Sequence, residues 1–106
     1  MIDSEEQMNS KERLIKKLTY DLPVLRARLG ISQEELAEKI GVSRQTYNAI
    51  ETGKKDMSRL VFLSLVAVFQ NNKETNLMLN RIDGFEEDLQ YTLDTEKIQD
   101  EGRKLI

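Results

Sequence analysis

A chain of 106 residues with 39% apolar and 33% charged side chains has the size of one compact domain with at most a short extension. It contains no cysteine and no histidine, which excludes disulfides, thiol nucleophiles, the usual zinc sites and imidazole acid–base chemistry together. The net charge of −3 is unevenly spread: Lys11 to Leu60 holds 11 basic against 7 acidic residues, residues 1–10 hold three acids, and residues 61–106 hold 5 bases against 9 acids.

One proline and five glycines leave most of the chain free to be helical, and an all-α fold is expected. No apolar run has the length and flanks of a signal segment or a membrane span, and absence of cysteine fits a reducing compartment, so a cytoplasmic protein is expected. The opening "MIDSEEQMNS", residues 1–10, is polar and acidic, with little to bury, and is predicted to be a flexible N-terminus.

Leu14, Ile15 and Leu18, following Ser10 as a possible N-cap, predict a short leading helix that Pro23 should terminate. Asp21 would then cap a new helix, "LPVLRARL", with Leu22, Leu25 and Leu29 as its apolar stripe and Gly30 as its left-handed stop. Ser32 with Glu35 three residues later forms a capping box, so the next helix starts at about Gln33 and ends at Gly41. It has about two turns, too few to be stable without a neighbour. Ser43 caps a further helix closed by Gly53, and Ser58 caps "RLVFLSLVAVF", whose near-continuous apolarity marks the most buried helix. After the polar break "QNNKE", residues 75–82 form a fifth short helix that Gly84 bends or ends.

Two short helices joined by a glycine-containing turn define a helix-turn-helix, and the residue types fit that geometry. Ala37 is small enough for the second helix to cross close by, Gly41 takes the turn, and Val42 plugs its underside. Leu36, Ile40, Tyr47 and Ile50 tie the pair to the core, which leaves Arg44, Gln45 and Asn48 on the other side of the second helix.

The run "SQEELAEKIGVSRQTYNAIETGK", within residues 22–69, resembles the XRE family of helix-turn-helix domains found in phage Cro and repressor proteins. The resemblance implies a five-helix lambda-repressor-like DNA-binding domain, here with an additional N-terminal helix and a C-terminal helical extension. It implies a homodimer on a palindromic operator in double-stranded DNA, with helix 43–52 in the major groove. Carried over by position, Arg44, Gln45 and Asn48 would contact bases: arginine suits guanine, and glutamine or asparagine suits adenine. Gln33, Thr46, Thr52, Lys54 and Lys55 would contact phosphates. Glu51 would be repelled by DNA if it faced the groove, but in this family that glutamate pairs with an arginine of the first domain helix, a position held here by Arg26. The expected structural pair is therefore Arg26 with Glu51.

The plain alternative for Arg44, Gln45 and Asn48 is a solvated helix face, for Lys54 and Lys55 ordinary loop lysines, and for Tyr47 base stacking yields to a place in the core. Lys11, Arg13, Lys16 and Lys17 suit flanking DNA or solvent equally. The domain is expected to span residues 11–82, with residues 83–106 as a C-terminal extension. Phe85, Leu89 and Leu93 form a narrow stripe there that could pack on the domain or seek a dimer partner.

The function expected is a DNA-binding transcriptional regulator, a repressor in the commonest form. The alternative is the antitoxin of a toxin–antitoxin pair, with the acidic C-terminal segment wrapping a toxin. No catalytic or metal site is expected and no cofactor: Glu86, Glu87 and Asp88 lack any partner of catalytic or metal-ligating type and read as a solvated face.

Overall fold

The computed structural model describes residues 10–93, with side-chain surroundings from residue 12 onward. Residues 1–9, which make up most of the predicted flexible N-terminus, and residues 94–106 of the predicted extension lie outside the described residues, as does the side chain of Lys11. Six helices and no strand make up the described residues: α1 (Ser10–Leu29), α2 (Gln33–Ile40), α3 (Arg44–Glu51), α4 (Arg59–Gln70), α5 (Lys73–Asn80) and α6 (Phe85–Leu93). None of these helices is long and apolar enough to cross a membrane.

The leading helix and the first domain helix, expected to break at Pro23, are one helix of 20 residues with the proline inside it. Leu14, Leu18, Leu22 and Leu25 are all fully or almost fully buried, a single stripe that runs through the proline without changing face. Burying Leu14 and Leu18 stabilises by about 1.5–3 kcal/mol each, against about 3 kcal/mol for an interior proline. Pro23 lies on the exposed side, where the Thr19 carbonyl that loses its partner can turn to water. Among the described residues the additional N-terminal helix is therefore the first part of α1 and not a separate element.

The short helices begin where their caps are. The Ser32 hydroxyl accepts from the Glu35 N–H at 3.0 Å while the Glu35 carboxylate accepts from the Ser32 N–H at 3.3 Å, completing the capping box of α2. Ser43 and Ser58 cap α3 and α4 by the hydroxyl half of that arrangement alone, accepting from the N–H groups of Thr46 and Val61. Gly41 takes φ 79°, the left-handed angle that lets the chain turn sharply between α2 and α3.

Helix α5 starts two residues earlier than its apolar pattern suggests, because the polar run contains its cap: the Asn72 side chain accepts from the Thr75 N–H at 3.0 Å. Thr75 is fully buried and its hydroxyl donates to the Phe69 carbonyl at 2.6 Å, locking the α4–α5 corner.

Helix α6 is part of the core. Phe85 and Leu89 are buried in the same cluster as Leu14, Leu18, Phe62 and Tyr47, so two residues of the stripe held open for a partner are covered by their own domain. Only Leu93 stays substantially exposed, at 43%. Polar ties reinforce the packing: Arg13 pairs with Asp88 at 3.6 Å, Lys17 donates to the Asp83 carbonyl at 2.7 Å, and Arg59 donates to the Thr92 carbonyl at 2.9 Å. Asp88, expected on a solvated face, is buried, with its side chain 9% exposed.

Candidate nucleic-acid interface

Helix α3 has two faces with different chemistry. Tyr47 and Ile50 are buried, while Arg44, Gln45 and Asn48 are exposed on the other side. An eight-residue helix would not persist alone, so its orientation is imposed from behind.

The imposing contact is a fork. Arg26 of α1 donates from Nε to Glu51 Oε2 and from Nη2 to Glu51 Oε1, both at 3.2 Å, and from Nη1 to the Ile31 carbonyl at 3.2 Å. One guanidinium thus ties together α1, the α1–α2 loop and the C-terminal end of α3. The Glu51 side chain is only 6% exposed, which removes its charge from the outward face. Burial alone would raise the Glu51 carboxyl, but the hydrogen bonds and charge of Arg26, with the polar neighbours Tyr47 and Gln33, hold it below its ordinary range. The same hydrogen bonds raise the Arg26 guanidinium.

Tyr47 fills the space behind this pair. Its ring is fully buried, and its hydroxyl is enclosed without a hydrogen bond within normal geometric limits. Burial and the adjacent Glu51 carboxylate push the phenol far above its ordinary range, so it stays protonated.

On the outward side, the Asn48 amide N–H donates to Gln33 Oε1 at 3.1 Å, so residues from the two motif helices meet in one exposed polar pair. The Asn48 side chain keeps its own carbonyl oxygen and one amide proton, while the Gln33 amide also helps to hold the Glu51 carboxylate. Thr46 Oγ1 accepts from the Ser43 hydroxyl at 3.0 Å, which leaves its own proton available. The Thr52 hydroxyl donates to the Asn48 carbonyl at 2.8 Å, so its proton is held by its own helix. Lys54 and Lys55 follow in an exposed loop whose N–H groups both bond to the Ala49 carbonyl, at 2.8 and 3.1 Å.

Four features of this region are not visible in the sequence run: the Ile31 carbonyl on Arg26, the Gln33–Asn48 pair, the enclosed Tyr47 hydroxyl, and the use of Arg13 and Lys17 to hold α6. The last two basic residues were split between DNA and solvent; they face α6. Their partners lie 75 and 66 residues away, and no local pattern signals such pairing.

A short capped helix, a glycine turn and a second helix with a buried back and a polar front define a helix-turn-helix protein. A family model described as helix-turn-helix matches residues 25–71. The chain is 48% identical over 50 residues to the uncharacterized HTH-type transcriptional regulator YgzD of Bacillus subtilis, covering 47% of this chain and 76% of that one. It is 46% identical over 48 residues to an uncharacterized HTH-type transcriptional regulator of Methanocaldococcus jannaschii, covering 45% and 73%. A similarly described regulator of Methanothermobacter thermautotrophicus is 50% identical over 36 residues, covering 34% of this chain and 52% of that one. The chain belongs to the XRE-type helix-turn-helix family. No solved structure gives a significant match.

Proposed function

We propose that the chain is a DNA-binding transcriptional regulator that acts as a repressor by occupying an operator, with α3 in the major groove. The observation that carries this is the α3 front of Arg44, Gln45 and Asn48, exposed and polar, on a helix clamped from behind by Arg26 and Glu51. Arg44 would read guanine and Gln45 and Asn48 adenine, each good bidentate pair contributing about 1–3 kcal/mol of discrimination. The free side-chain carbonyl and remaining amide proton of Asn48 are the pair adenine requires, and Gln33 would hold Asn48 while donating one amide proton to a phosphate.

Thr46, Lys54 and Lys55 would meet phosphates directly. Thr52 would donate to a phosphate only after its hydroxyl rotates from the Asn48 backbone carbonyl. The family relatives named as transcriptional regulators support regulation as the biological role.

The operator would be palindromic and the protein a homodimer. Leu60, 75% exposed, opens α4 just beyond the loop leaving α3, and the Arg59 bond to the Thr92 carbonyl brings the end of α6, with exposed Leu93, to the same edge. An apolar edge beside the reading helix is where a second copy would place two such helices on one face of DNA.

Selection of bound sequences from random DNA at two salt concentrations tests the proposal. Enriched half-sites one helical turn apart are expected; steep salt loss without any enriched motif would reduce the function to non-specific phosphate binding.

A further inference from the structure

An open cleft of about 560 Å³ lies between α1 and the end of α5, away from the α3 front. Every residue lining it falls outside the segment 25–71 matched by the helix-turn-helix family model. Its size is that of a small-molecule site.

The cleft combines an apolar wall with a basic rim. Met78 and Ile82 are half-buried along one side, and Tyr20 on the other leaves 85% of its surface to solvent, an aromatic ring with no structural use in the domain. Arg13, Lys16, Lys17 and Arg81 line it against Asp21 and Asp83. Arg13 is engaged with Asp88 of α6 and Lys17 with the Asp83 carbonyl of the turn before it, and so both fix the floor. Lys16 and Arg81 are exposed at the rim, one on α1 and one just past α5.

We propose that this cleft binds a small amphiphilic anion, an apolar body of aromatic or alkyl type bearing one carboxylate or similar group. The body packs against Tyr20, Met78 and Ile82, and the anionic head lies between Lys16 and Arg81. The charge balance decides the sign of the ligand: four cations against Asp21, Asp83 and the Asp88 that pairs with Arg13 still favour an anion, and a neutral body alone would leave Lys16 and Arg81 at the rim unused.

The proposal stands without DNA binding and is tested without DNA. The full chain is titrated with anilinonaphthalene sulfonate by fluorescence, and the bound dye is displaced by decanoate, decanol or decyltrimethylammonium. Saturation at one dye per chain is expected, with decanoate effective at least tenfold below decanol and the cation ineffective. The variants Arg81→Glu and Tyr20→Ser, both at exposed positions, should each weaken decanoate at least fivefold while melting like the parent chain. Equal displacement by all three compounds overturns the proposal, as does unchanged decanoate affinity in both variants. A loss of self-association in Tyr20→Ser would overturn it in another way, by making the cleft wall a contact between copies.

Discussion

At Glu51 the competition between burial and pairing has a measurable outcome. Removing Arg26 leaves a carboxylate that is 6% exposed with no cation beside it, so Arg26→Ala should destabilise by about 3 kcal/mol. Replacing Glu51 with Gln as well removes the orphaned charge, and the double variant should regain part of that loss in thermal melts. The pair also sets a pH dependence. The native carboxyl is held below the ordinary glutamate value of about 4.3, so the unfolded chain takes up its proton first as the solution is acidified. The pair's stabilisation is therefore complete above that ordinary value and is lost as pH falls through it toward the lower native one. Melting from pH 7 to pH 3 should show a steeper loss in the parent chain than in Glu51→Gln. Gln33 gives a second residue-level test: on the proposed function, Gln33→Ala should weaken DNA binding and relax selectivity at the base assigned to Asn48, whereas a simple phosphate contact would weaken all sequences alike. The residue types of this site were legible because the spacing of Ala37, Gly41, Tyr47 and Ile50 assigns a front and a back to α3. The Gln33–Asn48 bond was not, since it depends on how two helices cross.

Among the elements, α1 shows tertiary packing overriding a local rule. Pro23 is the strongest helix breaker in the chain, yet the leucine stripe on both sides of it continues without interruption. Pro23→Ala restores one backbone hydrogen bond at an exposed position, and should stabilise by about 2 kcal/mol, the helix gain of about 3 kcal/mol less the rigidity that proline gives the unfolded chain. A rise of several degrees in Tm is expected, and an unchanged or lower Tm would show that the proline shapes the helix path usefully. The capping residues Ser32, Ser43 and Ser58 made three helix starts readable to the residue. Asn72 was hidden because it stands in a run of polar residues, where any of several could have served as cap.

For the whole molecule, α6 determines what can be removed. A chain ending at Arg81 lacks Phe85 and Leu89, each worth about 1.5–3 kcal/mol when buried, and uncovers the leucines of α1. Since domains of this size hold only about 5–15 kcal/mol in total, the truncated chain should lose its cooperative melt by circular dichroism. Self-association is better examined at the surface: Leu60→Asp, at a 75% exposed position, should leave the melt of the monomer intact and weaken binding to a palindromic site far more than to a single half-site. The all-helical class and the motif were evident from pattern alone. The union of residues 10–24 with residues 85–93 was not, because the two segments recognise each other only across the folded core.

The Arg26 fork has a consequence for heat and specificity together. An eight-residue helix fastened at its far end by a residue of another helix is expected to melt only with the rest of the domain, and the domain to loosen only with it. Amide exchange in α3 should therefore proceed at the rate of global opening, and discrimination between DNA sequences should vanish at one temperature, the unfolding temperature, without a prior phase of sloppy recognition.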